Sequence, residues 1–355
     1  MRESRVSLAP QSTRVAGIDV ARGLAALIML QGHATDGWVQ APQQDTAYGI
    51  SRLLGTLPLP AFLLLAGTSV SWRLHIALER DEARPALRKR LLRRGLGLVL
   101  AGYGLSALLA LIDGVPSVAV LLLADVLHVI GLSIALASLL PMRSARAFVT
   151  STLVLGAVMT AACPFIPVLH LRAPFDVVAG LFVDAPPVTR MPLVPLFAWF
   201  AAGALAAHLM WRMRGDDTFA SVAGASQRFL LGMLASALVL SVAGWFAMAW
   251  LAERFPAPIS RQHPAIWANV IDLAGRGLLV LALGALLAPR LPRRLRRALV
   301  VLGQGSMTAY IVHLPFCYGR LAAPMRGATM AQALMGIAML TLVAYGAVWL
   351  RKRLR

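Results

Sequence analysis

The sequence predicts an all-α integral membrane protein, a bundle of about ten transmembrane helices with an eleventh conceivable near residue 180 and both termini cytoplasmic. Three observations lead there. Of 355 residues, 59% are hydrophobic and only 14% are charged, whereas a soluble domain has about 45–50% apolar and about 25% charged residues. The mean hydropathy is +0.72. Apolar runs of about 20 residues, the length that crosses a hydrocarbon core of about 30 Å, recur along the chain.

The runs follow in order. The first, 16–38, carries Asp19 and Arg22, unlike the short apolar core of a cleavable signal, and is expected to remain as the first span. The next four are 50–74, 91–112, 118–140 and 147–164. Residues 165–191 are proline-rich around the apolar patch DVVAGLFV and read as an external loop with an interfacial or re-entrant piece. Their proline-broken flanks leave too few apolar residues for a full span. The remaining five are 192–213, 229–252, 266–288, 299–318 and 328–350. A short segment, 1–15, thus precedes a single transmembrane domain, 16–350, and a basic tail, 351–355, follows it. No internal repeat, heptad run or low-complexity tract interrupts this plan.

Charge placement orients the bundle. Of the 34 Lys and Arg residues, 25 fall on the side of the amino terminus, chiefly in RPALRKRLLRR (84–94) and RLPRRLRR (290–297). Seven fall on the other side, and Arg22 and Arg276 lie inside helices. Positive charge marks the cytoplasmic face, so both termini are placed there. The net charge of +19 has no aromatic-interleaved basic surface beside it, which excludes a nucleic-acid partner. Anionic membrane lipid or an anionic cofactor suits it better. Cys163 and Cys317 fit neither a disulfide framework nor a metal spacing, and two buried thiols are expected, with a bridge between them as the alternative.

Ionisable groups at mid-bilayer cost about 2.5–3.5 kcal/mol each on insertion scales, which makes them functional candidates by default. They are Asp19, Arg22, His33, Asp125, His128, His208, Asp272, Arg276 and His313. With the orientation above, His33, Asp125, His128, Asp272 and His313 share one level in the outer half, reached from four helices. Helical spacing puts Asp125 and His128 on one side, aligns Asn269, Asp272 and Arg276, and aligns Ser306, Tyr310 and His313. Arg22 and His33 share a face, about 16 Å apart along the axis. Each group also has a structural reading: Asp19 with Arg22 as an interfacial anchor, Asp272 with Arg276 as a buried pair, His128 bonded to Asp125 or to a carbonyl, and His75 and His208 as interfacial residues. The whole describes an outward-opening cavity above a cationic site. Several imidazoles at one level suit proton transfer, and no metal is expected because three histidines from three helices lack a ligand spacing.

The segment IDVARGLAALIMLQGH (18–33) resembles the first-helix signature of transmembrane acyltransferases, including the acyltransferase-3 family of surface-polysaccharide O-acetylases, whose motif is Arg or Lys, ten residues, then His. LPLPAFLLLAGTSVSWRL (57–74) and DVLHVIGLSIALASLL (125–140) are closer to the heparan-α-glucosaminide N-acetyltransferase-like branch. LGQGSMTAYIVHLPF (302–316) is similar to a Gly-x-Ser … Tyr … His run found across the superfamily. The resemblance implies transfer of an acyl group, acetyl above all, from cytoplasmic acyl-CoA to a hydroxyl or amine acceptor, a sugar, on the outer side of a bacterial cytoplasmic membrane. It implies His33 as the catalytic histidine and Arg22 as the cation of the motif. It also places Asp125, His128, Tyr310 and His313 in matching segments.

Physical considerations extend this. Arg88, Arg90, Arg93 and Arg94 would attract the CoA phosphates, with Arg22 and Tyr310 further along the cofactor path. An extended pantetheine arm matches the Arg22–His33 separation. His33 then acts as general base or as an acylated nucleophile. Asp36, Asp125 or Asp272 would orient the imidazole, and a His or Tyr donor would hold the oxyanion. The alternatives are a secondary transporter of an anionic or proton-coupled solute, against which the absence of matching helix breaks in the two halves argues, and a non-catalytic sensor or scaffold.

Overall fold

A computed structural model describes residues 14–40, 45–114, 117–255 and 260–354. Of the described residues 78% are helical, and no strand forms among them. In order the helices are α1 (Ala16–Trp38), α2 (Thr46–Leu54), α3 (Pro58–Glu79), α4 (Arg84–Asp113), α5 (Val118–Leu121), α6 (Val126–Leu139), α7 (Ala145–Ala162) and α8 (Phe175–Gly180). They continue as α9 (Leu193–Arg212), α10 (Thr218–Ala223), α11 (Gln227–Arg254), α12 (Ala265–Leu287), α13 (Arg293–Gln304), α14 (Ser306–Cys317) and α15 (Met330–Arg353).

Each expected apolar run contains helix, but three expectations change. Among the described residues seven helical units are long and apolar enough to cross a membrane, or eight if α13 and α14 count as one bent span. The expected ten or eleven is not reached on these criteria. Helix α6 has only 14 residues, about 21 Å of helix, and α1 carries charges at both ends. The run 299–318 is not one straight span: α13 and α14 meet at 78°. Gly305 stands at the joint, with Val348 pressed where a side chain would sit. The run 118–140 is also broken. After the short α5 the chain restarts with Asp125 as the N-cap of α6, so Asp125 lies outside the helix proper. The 165–191 loop holds only the six-residue α8 and a single parallel bridge, Ala124 to Thr189.

Burial separates an inner from an outer set. Windows of α9, α12 and the α2–α3 unit are 67%, 56% and 50% buried, against 22–28% for α4, α7, α11 and α15. The outer helices turn side chains such as Leu238, Val239 and Phe246 outward, as a lipid-facing surface requires, because hydrocarbon solvates them as well as a core would. The inner helices pack backbone to backbone. Gly67 on α3 and Gly203 on α9 face the carbonyls of Phe200 and Leu64 so closely that neither position has room for a Cβ. Helix α1 lies against α3, α12, α13, α14 and α15, so its polar residues are presented to several neighbours at once. Cys163 and Cys317 are both buried free thiols.

Candidate functional site

Two polar centres lie along α1. At its amino-terminal end Arg22 Nη1 donates to Asp19 Oδ1 at 2.7 Å, and its Nη2 bonds the Ser69 hydroxyl of α3. Asp19 Oδ2 accepts from Gln304 Nε2 of α13 at 2.8 Å, and Gln304 Oε1 accepts from Lys352 Nζ of α15 at 2.6 Å. Asp19 and Arg22 are therefore an ion pair, and also the middle of a chain of bonds that ties four helices together.

Above this chain lies a cavity of about 660 Å³. Arg14, Arg22, Arg94, Arg351 and Lys352 line its basic end, and Met29, Phe62, Leu127, Ile130 and Tyr310 line its apolar part. Along α1 it reaches from Arg22 to Met29, about 10 Å at the helical rise, and Arg14 extends it beyond the start of the helix. Long cations whose stems pack on apolar surface while their heads reach water suit such a mouth.

The second centre is one turn beyond Met29. His33 Nδ1 lies 2.8 Å from His313 Nε2, with the rings stacked at 5.1 Å between centroids. His313 is fully buried and its Nδ1 is 2.9 Å from the Ala309 carbonyl. A carbonyl only accepts, so His313 Nδ1 carries a proton; in neutral His313 the Nε2 is then an acceptor, and His33 Nδ1–H donates to it. The lone pair of the neutral His33 ring is left on Nε2, which makes no hydrogen bond among the described residues. The Tyr310 and Tyr318 rings stand 6.5 and 5.7 Å from the His33 ring. Tyr318 donates to Asp36 at 3.1 Å, and Asp36 pairs with Arg52 at 2.5 Å.

The other expected site residues are dispersed. Asp125 faces Arg190 at 3.9 Å and accepts from the Val126 N–H. His128 Nδ1 accepts the Asp125 N–H at 3.1 Å, completing a capping box. Its ring meets Tyr103 at 4.2 Å and fills the space that the bare Gly102 leaves. Asp272 does not orient an imidazole: both oxygens bind Arg276, at 2.8 and 2.7 Å, and Ser241 donates to one of them. Arg276 also holds Thr56 at 2.6 Å, so this pair fastens α12 to α11 and to the α2–α3 joint.

The four arginines of α4 part company, because successive helical positions point in different directions. Arg94 lines the cavity, and Arg88, Arg90 and Arg93 do not. Arg88 donates to the Leu140 carbonyl at 3.1 Å, and Arg93 is exposed. Arg90 joins Arg73 on Glu82, and these two guanidiniums, Arg73 foremost, hold the Glu82 carboxyl below the usual carboxylate range.

Sequence reasoning passed over Arg14, Ser69, Gln304, Arg351, Lys352, Arg52 and Arg190. The run RKR at 351–353 was visible as a basic tail, but nothing local ties it to α1. Among the described residues no group of three or more His, Cys, Asp or Glu side chains has metal-holding geometry.

A basic-mouthed, apolar-walled cavity thus ends near an imidazole pair with a fixed proton arrangement. In comparison with known families, the family model for the heparan-alpha-glucosaminide N-acetyltransferase catalytic region matches residues 14–237. The match covers more than half of the chain, and the chain belongs to this family of membrane acetyltransferases. The matched span holds Arg14, Arg22, Met29, His33 and Arg94, and ends before Tyr310 and His313. A search of curated proteins found no match.

Proposed function

We propose that this protein transfers an acetyl group from cytoplasmic acetyl-CoA to a hydroxyl or amine of a sugar acceptor on the outer side of a bacterial cytoplasmic membrane. The cavity carries the proposal. Its basic end and its apolar length match the two halves of the donor, a polyphosphate head and an uncharged arm. Arg14, Arg94, Arg351 and Lys352 would hold the phosphates. The uncharged arm would lie along Ile130 and Phe62 toward Tyr310. In this reading residues 16–350 act as one transmembrane unit with both termini inside. Arg88, Arg90 and Arg93 then serve orientation in the membrane.

His33 is the general base in this scheme. Its Nε2 takes the proton of the acceptor hydroxyl or amine, and His313 holds the ring in the tautomer that leaves Nε2 free. The acceptor oxygen or nitrogen bonds to the acyl carbon, the C–S bond breaks, and the proton on His33 passes to the departing thiolate. Tyr310 is placed to donate to the oxygen of the tetrahedral intermediate. The acceptor approaches on the side of Asp36, Arg52 and Tyr318, which offers hydroxyl-binding groups of both charges.

The test is thermal unfolding of the purified full-length protein with acetyl-CoA, free CoA and desulfo-CoA. Ligand at a hundred times Kd stabilises by about 2.7 kcal/mol, and all three ligands are expected to raise the midpoint. No shift with any of them at millimolar concentration overturns the proposal. Acetyl label that stays on the protein without acceptor would replace the general-base step with an acyl-histidine.

A further inference from the structure

The cavity stops short of the histidines. Met29, Phe62, Leu127 and Tyr310 line its apolar end, and neither His33 nor His313 does. Met29 is seven residues above Arg22 and four below His33, so it sits on the face these two share and in the line between them. It is 4% exposed and packs with Leu105, Leu127, Tyr310 and Leu314. Of these side chains only Tyr310 has a polar atom. The end of the donor cavity nearest the imidazole pair is therefore an apolar wall that includes Met29.

We infer that Met29 determines which acyl chain the enzyme accepts, restricting it to two carbons. The inference rests on the acyl-CoA reading above. For the acyl carbon to come under His33 Nε2, the alkyl end must settle against this wall. Methionine has three rotatable side-chain bonds and a polarisable sulfur, so it yields by the width of a methyl group. Leu105, Leu127 and Leu314 pack in the same buried cluster as Met29, and adding methylenes to a packed apolar site is opposed by overpacking. Phe62 is a stiff ring on α3, and Tyr310 is assigned to the oxyanion. Met29 is thus the adjustable residue. The transfer step itself is unchanged: the same C–S bond breaks and the proton still passes through His33.

The experiment measures Kd of the full-length protein for free CoA, acetyl-CoA, propionyl-CoA and butyryl-CoA by titration calorimetry, in the wild type, Met29→Ala, Met29→Leu and Leu105→Ala. In the wild type butyryl-CoA is expected to bind on the order of tenfold or more weaker than acetyl-CoA, since a single methylene discriminates by about 10–200-fold in apolar pockets. Met29→Ala removes three side-chain atoms and should bring butyryl-CoA to within about twofold of acetyl-CoA, by the same methylene arithmetic. Met29→Leu keeps the wild-type order. Leu105→Ala, which loosens the cluster around Met29, shifts the order in the same direction and supplies the test if Met29→Ala does not fold. Equal binding of all acyl chains by the wild type overturns the inference, as does an unchanged order in both alanine variants. If neither free CoA nor acetyl-CoA binds any form, the acyl-CoA reading itself has failed.

Discussion

The two ends of the Arg22–His33 axis are built on opposite principles. At the lower end exposed cations from separate stretches, Arg14, Arg94, Arg351 and Lys352, converge on the rim of an open cavity. At the upper end two imidazoles from α1 and α14 are locked ring on ring, with a backbone carbonyl fixing the proton order. Coulomb attraction acts over many ångströms and tolerates mobile side chains, so a polyanion can be held by long cations gathered from anywhere. Proton transfer requires hydrogen-bond distance, so its groups come from packed helix faces. One end can lose a residue and be weakened, whereas the other end fails.

The largest effect is expected at the rigid end. His33→Ala should lower turnover by about 10²–10⁴-fold, the usual contribution of a positioned acid–base group. Stabilisation by acetyl-CoA should match the wild type, since the cavity does not include His33. Full turnover in this variant would remove His33 from the chemistry and dissolve the contrast. His313→Ala leaves His33 Nδ1–H without its acceptor and the ring free to turn. A loss of about 10²-fold in kcat follows from misplacement of that order, with KM for acetyl-CoA unchanged. Partial recovery in His313→Gln, whose carbonyl oxygen can accept the same bond, marks a positioning role; equal loss in both variants points to proton transfer by His313 itself.

The open end should respond more gently. Arg351→Ala with Lys352→Ala is expected to raise Kd for CoA by about tenfold, about 0.7 kcal/mol for each of the two exposed cations. The difference should shrink as salt is raised, because exposed charges are screened. Arg88→Ala with Arg93→Ala should leave Kd within about twofold, as these side chains lie off the cavity. A larger loss from the second pair than from the first would reverse the assignment. Smallest of all, Asp125→Ala removes the N-cap of α6 and should lower stability by about 1 kcal/mol, read as a fall in the thermal midpoint. A loss of turnover with an unchanged midpoint would move Asp125 from cap to catalyst.

Much of the helical plan was legible in the sequence because its signals are local. Apolar length marked the helices, and helical spacing aligned Arg22 with His33 and Ser306 with Tyr310 and His313. That spacing also exposed Asp19–Arg22 and Asp272–Arg276 as pairs. A shared depth does not give a shared site: Arg276 and Ser241 take up the oxygens of Asp272. Asp125 looked like a mid-membrane carboxylate because the apolar run continues through it, whereas its short side chain caps the start of α6.

What the sequence by itself determined is the one-dimensional part of this protein: a membrane helix bundle, its basic face, and an arginine and a histidine on one face of α1. Those properties follow from hydrophobicity and the 3.6-residue period, which act between near neighbours in the chain. Only the tertiary structure decided that His313 meets His33 across 280 positions, that Arg14, Arg94 and Lys352 share a rim, and that Met29 lines the apolar end of the same cavity. Such contacts depend on which helix faces pack together, and small residues such as Gly67 and Gly203, which set how closely α3 and α9 approach, are read as spacers only once the neighbouring helix is in place.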